Sequence, residues 1–220
     1  MAILDFTPTL EQLTIWAQES QIVVDFFVQQ KGKKQIVLHQ SASLLYVPIL
    51  IESEIDFDVI LDGEDASLSY SGIALSSETA SSSQCVAHLQ SNGTHADIQL
   101  LGLPGRASCR LTGDLDIAKD ISWVTAYLHQ HQLIREDAPI QTLAFPKLHV
   151  NSYQVKAWHW ASIHQLDPKY LFYLMAKWLD LKRAQHLVIH GHIEHMLDRA
   201  HLDDEQKALV LEKLLPFINA

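Results

Sequence analysis

The sequence predicts a mainly β fold that gives way to a helical unit near its C-terminus. Between residues 21 and 159 the chain is a series of short runs rich in Val, Ile and Leu. Each run has the length of a strand and ends in a polar or glycine-containing break. After residue 159 the apolar residues follow the helical period instead. With 220 residues, 48% of them hydrophobic, the chain is long enough to bury a substantial core.

The chain divides into three predicted parts. Residues 1–20 are predicted to be a short helical segment, because Thr9 and Gln12 stand three positions apart, as capping residues do at the start of a helix. Residues 21–163 are the predicted β part, and residues 164–220 are the predicted helical part.

The β part contains no convincing helix between its strands. Runs such as QIVVDFFVQQ, KQIVLHQ and LLYVPILIE follow one another directly, which is typical of a sandwich, a barrel or a β-solenoid. Asn92-Gly93 and Pro104-Gly105 suit hairpins, and a further break falls at Asp137-Ala138-Pro139. No strict repeat selects the solenoid, so periodicity leaves the three folds open.

The C-terminal part is predicted to contain about three short helices. Asp167 is a good N-cap, with Pro168 at the first helical position. A second helix runs through Ala184, and Asp203 with Gln206 three residues later opens the third. Such a small unit cannot hold a large core by itself. We therefore expect it to pack on the β part or on a partner.

Charge and cysteine content exclude several classes of protein. The net charge is -10, with 26 acidic and 16 basic side chains, which argues against nucleic acid or an anionic membrane as the main partner. No apolar run is long enough to span a bilayer, and the first ten residues do not resemble a signal peptide. Cys85 and Cys109 form no CxxC pair, and we expect both to be small core residues. These features favour a soluble, cytoplasmic protein.

The junction between the β and helical parts resembles one family. The SufB/SufD proteins, scaffold subunits of the SUF system of iron–sulfur cluster assembly, end in the pattern P-x-L-x-I-x-A-D-D-V-K-C-S-H-G-A-T-V-G-Q-L-D-E-x-x-L-F-Y-L. Here the matching residues are Pro146, Leu148, Val150, Val155, Lys156, His159, Ala161, Ser162, Ile163, Gln165, Leu166, Asp167, Leu171, Phe172, Tyr173 and Leu174. The segments GRASCRLTGDLDI upstream and RAQHLVIHGHIEHML downstream are also similar to family segments, so the resemblance covers roughly residues 63–197.

Three departures distinguish this chain from the family pattern. Ala157 replaces the motif cysteine, Trp160 replaces the glycine after the histidine, and Tyr153-Gln154 replaces the pair of aspartates. The chain therefore resembles a shortened, divergent member on the SufD side of the family.

The resemblance implies a right-handed parallel β-helix core followed by a C-terminal helical domain. It also implies a non-catalytic scaffold that pairs with itself or with a SufB-like subunit and docks a SufC-like ABC ATPase on its helices. The docking candidates are Phe172, Tyr173, Met175 and Trp178. No stably bound cofactor is expected, and a transient iron–sulfur cluster would lie at the shared interface.

His159 is the candidate residue for cluster assembly. From residue type alone, a histidine between Trp158 and Trp160 is predicted to be a buried or interface residue held by a backbone carbonyl. The resemblance instead places it at the family's functional histidine. Because iron–sulfur clusters take about four ligands, mostly thiolates, His159 would supply one ligand and a partner the rest.

Two alternative functions stay open at the level of sequence. His186, His190, His192 and His195 suggest a histidine-rich metal-binding protein, although the first two face one side of a helix and the last two face elsewhere. A solvated helix face explains them more simply. Four carboxylates stand at alternate positions, so that on a strand they would point to the same side: Glu52, Glu54, Asp56 and Asp58. They would suit a β-solenoid enzyme acting on carbohydrate if they lined a groove.

Overall fold

The computed structural model describes residues 3–5, 8–134, 142–199 and 202–218; the predicted break at Asp137-Ala138-Pro139 lies outside them. The strands are β1 (Ile3–Asp5), β2 (Leu13–Ile15), β3 (Ser20–Val28), β4 (Lys31–Leu38), β5 (Ser43–Ile51), β6 (Glu54–Leu61), β7 (Ser67–Ser76), β8 (Ser81–Leu89), β9 (His95–Pro104), β10 (Cys109–Ile117), β11 (Ser122–Ile134), β12 (Thr142–Val150) and β13 (Gln154–Gln165). The helices are α1 (Pro168–Met175), α2 (Leu181–Arg199) and α3 (Asp204–Ile218).

The chain coils so that successive strands alternate between two sheets. The first sheet has the order β1-β3-β5-β7-β9-β11-β13, and the second has the order β12-β10-β8-β6-β4-β2. Each strand pairs in parallel with the strand one turn away, as Ser20 does with Ser43 and Tyr127 with Trp158. This arrangement confirms the predicted parallel β-helix core with C-terminal helices.

The hairpins suggested by Asn92-Gly93 and Pro104-Gly105 are wrong, because every pairing among the described strands is parallel. Gly93 has φ +70° and lies between β8 and β9, which belong to different sheets. Its left-handed conformation turns the chain at a corner of the coil rather than reversing it. Positive φ recurs where the chain passes from the second sheet to the first, at Gln18, Ser41, Asp65 and Asp120.

Neighbouring corners are joined by backbone hydrogen bonds. The N–H of Ser41 donates to the carbonyl of Glu64 at 2.7 Å, and the N–H of Asp65 donates to that of Asn92 at 3.0 Å. These bonds satisfy backbone groups that the ladders do not reach. The corners therefore stack as regularly as the strands.

Two apolar cores explain the pattern of the strands. The lumen core lies between the sheets, and β6 alternates strictly between buried and half-buried residues because its outer side faces solvent. In the first sheet, β5 is buried at almost every position of its second half, since helices cover its outer side. The outer core joins residues such as Ile49 and Leu101 on the strands to Ile193, Leu197 and Leu214 on the helices.

The three helices begin where the sequence indicates. The Asp167 carboxylate accepts a hydrogen bond from the Lys169 N–H at 2.8 Å, and Pro168 follows it. Asp203 and Gln206 bond each other's backbone N–H groups, which is a capping box. Within the described residues, no helix is long and apolar enough to cross a membrane.

The helix predicted within residues 1–20 is wrong in the part that the structure describes. Residues 13–15 form β2, which pairs with residues 36–38 of β4 at the start of the second sheet. Ile15 is fully buried in the lumen core, and Leu10 and Leu13 pack against that core. Burial of these side chains on the first turn of the coil outweighs the local capping signal of Thr9 and Gln12.

Candidate functional site

The end of the coil nearest the helices exposes the outermost strand of each sheet. We call β12 and β13 the end rung; each pairs with a single neighbour among the described strands. An edge strand leaves a row of backbone N–H and C=O groups available for another chain. The end rung also carries exposed apolar side chains, namely Leu143, Phe145, Val150, Trp158, Trp160 and Ile163. Such a combination is typical of an interface with another protein.

His159 is exposed at the open end of the coil. It lies opposite Leu128 in the β11–β13 ladder, and Leu128 points into the lumen core. His159 therefore lies on the lumen side of the last strand, where no further turn covers it. Trp158 and Trp160 point to the opposite side of β13 and contact other histidines. The prediction of a buried ring is wrong, because the imidazole is accessible, whereas the alternative of an interface residue stays a prediction.

The two cysteines are buried in the lumen core and form no disulfide. Burial raises the pKa of the Cys109 thiol to about 12 and raises that of Cys85 further. Because the thiolate is the species that binds metals, neither residue offers a ligand at neutral pH. This agrees with the prediction that both are small core residues.

The first helix presents an apolar surface to solvent. Leu171 anchors α1 in the outer core, whereas Phe172 is 75% exposed and Trp178, in the turn after the helix, is 96% exposed. We call the four predicted docking residues, Phe172, Tyr173, Met175 and Trp178, the α1 patch; all four are exposed. Phe172 and Met175 line a groove of about 300 Å³, and Tyr173 lies under the ammonium of Lys177 at 5.8 Å.

The predicted histidine cluster on α2 is divided between two faces. His186 and His190 line a groove of about 330 Å³ with Leu187 and Leu215. His192 and His195 line a different cavity, against the first sheet. Within residues 3–5, 8–134, 142–199 and 202–218, no group of three or more His, Cys, Asp or Glu side chains is arranged to hold a metal ion. The geometry therefore gives no support to a metal site on this helix.

Three further histidines face α2 from the first sheet and were not recognised in the sequence. His129 and His131 lie on β11 and His164 on β13, next to the cavity that His192 and His195 line. The alternation of His129 and His131 along one strand places both on the same side. This alternation is the only local sign of the pair, because α2, the helix that His129 and His131 face, lies about fifty to seventy residues further along the chain.

The four carboxylates of the carbohydrate-enzyme hypothesis take part in local contacts. The hydrogen bond from Gln29 and those from the loop backbone lower the pKa of Glu52, whereas a general acid needs a raised pKa. Glu54 pairs with Lys31 at 2.7 Å. Asp56 accepts from the N–H of Gln84, and Asp58 lies 3.3 Å from His88. These contacts give each carboxylate a structural role.

Comparison with known proteins agrees with this arrangement. A family model described as SUF system FeS cluster assembly, SufBD core domain, matches residues 28–192, from the end of β3 into α2. The match covers most of the chain and includes the end rung and the α1 patch. A search of curated proteins finds no match.

Proposed function

Because the chain belongs to the SufBD core family of SUF iron–sulfur cluster assembly, we propose that it is a non-catalytic scaffold with two protein-binding surfaces. The end rung pairs with a second scaffold subunit, and the α1 patch docks the ABC-type ATPase of the system. The observation that carries the proposal is the exposure of large apolar side chains on these two surfaces. Family membership supports a role in cluster assembly. The proposal concerns which surface binds which partner.

The α1 patch supports docking because it is apolar without being needed for the core. Leu171 already anchors the helix, and Leu174 packs partly against the outer core. Phe172 and Tyr173 point outwards and belong to neither of the two apolar cores. Aromatic side chains of this kind are enriched among the residues that dominate binding energy at interfaces.

The end rung supports pairing because it offers both backbone and side-chain contacts. A second scaffold subunit can extend either sheet by adding a strand to the free edge of β12 or β13. Phe145 is 51% exposed on β12, and Trp160 is 43% exposed on β13. Pairing would cover both and would remove the open edges that otherwise favour aggregation.

His159 would lie at that pairing interface. An accessible neutral imidazole is a borderline-soft ligand suited to iron. With Cys85 and Cys109 buried, the described part of this chain has no accessible thiolate. We therefore propose that His159 supplies one ligand to a cluster in transit, while the partner supplies thiolates.

Replacing Phe172 by Asp should separate docking from pairing. We expect the affinity for the co-expressed ABC ATPase to fall about 30-fold, equivalent to about 2 kcal/mol, because a charge would be buried in an apolar contact. The mass of the scaffold alone should not change. The measurement is titration calorimetry for docking and light scattering after size exclusion for mass.

The matched control is Phe145→Asp, which places the same charge on the end rung. It should weaken self-association, or association with the second subunit, and leave ATPase binding unchanged. If both variants bind the ATPase as tightly as the unmodified protein does, the docking surface is not the α1 patch.

Replacing His159 by Ala should preserve the fold and reduce cluster assembly. We expect at least about a tenfold loss in the rate at which a reconstituted scaffold complex acquires the absorbance of an iron–sulfur cluster, because loss of even a residue that only orients a metal ligand typically costs about 10–100-fold. His149→Ala is the control, since His149 is an exposed histidine on β12, the strand of the end rung that belongs to the other sheet. Equal rates for the two variants would leave His159 without a role in assembly.

A further inference from the structure

Helix α2 is held against the outer side of the first sheet by apolar contacts and one ion pair. Ile193, Met196 and Leu197 are buried in the outer core against strand residues such as Leu101. At the end of the helix, the guanidinium of Arg199 lies 3.1 Å from a carboxylate oxygen of Asp97 on β9.

Four histidines line the cavity between this helix and the sheet, and a fifth, His164, lies beside it with its ring 6.0 Å from that of His131. The cavity measures about 260 Å³. The five are His129, His131, His164, His192 and His195. The Ser162 hydroxyl joins two of the rings: it lies 3.1 Å from Nδ1 of His131 and 3.2 Å from Nε2 of His164. We call these five residues the histidine cluster.

Little negative charge faces the histidine cluster. Asp97 on β9 already pairs with Arg199, which adds a positive charge to the same cavity. On α2, Glu194 lies 3.8 Å from His190 on the other side of the helix.

The remaining charged groups nearby have partners of their own. Asp198 pairs with Lys207 of α3 at 2.7 Å. Farther along the same side of the sheet, His95 and Lys156 contact Tyr127. Protonated rings of the cluster would therefore meet each other and Arg199, and Asp97, whose charge acts to raise the pKa of His129, is the carboxylate that opposes this repulsion.

The surroundings lower the pKa of three of the rings, His129, His131 and His192, while α2 packs on the sheet. Partial burial lowers the pKa of His131, and the neighbouring His164, His129 and His192 lower it further. Partial burial followed by the charges of His164 and His195 lowers the pKa of His192, and burial is also the main cause of the lowered pKa of His129. A histidine whose pKa is lowered while α2 packs on the sheet binds fewer protons in that state than it does when α2 is released. The packing of α2 on the sheet is therefore most stable at high pH. It loses stability as pH falls from the ordinary histidine pKa of 6.5 towards the lowered values.

We propose that the histidine cluster makes the contact between α2 and the first sheet an acid-sensitive latch. Below about pH 6.5, protons accumulate on rings from β11 and α2, and mutual repulsion loosens the helix from the sheet. Release exposes the apolar outer side of the sheet. Because α2 follows the α1 patch directly, the latch couples proton concentration to the geometry of the helical part.

The test compares two double variants that remove the same number of histidines from the same protein. His131→Gln/His192→Gln removes two rings from the cluster, and His186→Gln/His190→Gln removes two from the opposite side of α2. Hydrogen–deuterium exchange of α2 and of the strands beneath it is followed from about pH 8 to about pH 5, corrected for the intrinsic pH dependence of exchange. Exchange is the deciding readout, because ring protonation beside Trp158 and Trp160 would change fluorescence even without release.

In the unmodified protein, the protection of α2 should fall cooperatively below about pH 6.5. In the cluster variant that loss should move to lower pH, and the number of protons linked to it should fall by up to two. The control variant should behave as the unmodified protein does, and since both variants remove two histidines, the loss of two imidazoles as such is common to both. The two single variants of the cluster, checked by circular dichroism at about pH 8, replace the double variant if it folds poorly.

Two results would overturn the proposal. The first is protection of α2 that stays constant to about pH 5 in the unmodified protein. The second is an equal shift in the cluster and control variants, which would assign the pH response to the helix as a whole.

Discussion

Replacing Asp25 by Ala is expected to lower the free energy of unfolding by about 3–5 kcal/mol. Asp25 lies on β3, is 2% exposed and receives two hydrogen bonds within the lumen. The ammonium of Lys34 donates to it at 2.6 Å, and the hydroxyl of Tyr46 donates at 2.6 Å. Burial and the adjacent carboxylate raise the pKa of Tyr46, so its hydroxyl remains a donor. Without the carboxylate, Lys34 would be a buried charge with no anion beside it.

Urea denaturation at neutral pH measures this loss, and an exposed ion pair provides the control. Lys31 and Glu54 are a similar 2.7 Å apart, but the Lys31 side chain is 72% exposed. Glu54→Ala should therefore change the free energy of unfolding by less than about 1 kcal/mol. Asp25→Leu combined with Lys34→Met should recover much of the stability lost in Asp25→Ala, because no unpaired charge remains. If Asp25→Ala and Glu54→Ala cost the same, the buried pair does not stabilise the lumen.

The buried pair illustrates a limit of sequence reasoning. Asp25 interrupts the apolar run IVVDFFV, and nothing local indicates whether its side chain faces solvent or the lumen. Its partner Lys34 stands in the run KGKK, which is typical of a solvated turn. The interaction exists because β3 and β4 belong to opposite sheets of one turn of the coil. Only the three-dimensional arrangement makes these two residues neighbours.

Capping signals in the sequence predict the helices well and the first twenty residues poorly. Both results have one reason: such a signal describes only interactions within its own segment. Asp167 and the pair Asp203–Gln206 act through hydrogen bonds within their own helices, so the sequence contains the whole interaction. The Thr9–Gln12 pattern has the same appearance, but Ile15 gains more from burial against the next turn of the coil. Short segments at the end of a sheet are decided by such long-range packing.

The choice of a solenoid over a sandwich or a barrel likewise depended on family resemblance. A run such as LLYVPILIE is apolar on both sides, and this predicts a covered strand without revealing what covers it. In the structure, the lumen core covers one side and the helices cover the other. The candidate functional residues also differ in whether the sequence reveals them. The exposed aromatics of the α1 patch followed from resemblance, whereas the histidine cluster requires β11 and α2 to be placed side by side.

Replacing Gly63 by Ala should lower the free energy of unfolding by about 3 kcal/mol, the upper end of the usual range for overpacking. Gly63 lies in the corner between β6 and β7, and a Cβ there would overlap the backbone of His39 and Gln40 in the preceding corner. A flexible side chain could move away, but the backbone of His39 and Gln40 is fixed by the hydrogen bonds that stack the corners, such as that from the Gln18 N–H to the carbonyl of Gln40. Relieving the overlap would separate two turns of the coil.

Gly191→Ala is the matched control for this prediction, because a Cβ on Gly191 would meet nothing within 4 Å beyond its chain neighbours and the backbone of its own helix. Gly191 lies within α2, where alanine is the better helix former, so the same substitution should stabilise the protein by about 0.5–1 kcal/mol. Opposite signs for the two variants in urea denaturation would establish that the corner has no space for a side chain. A loss below about 1 kcal/mol for Gly63→Ala would contradict the close stacking, since the corners would then separate at little cost.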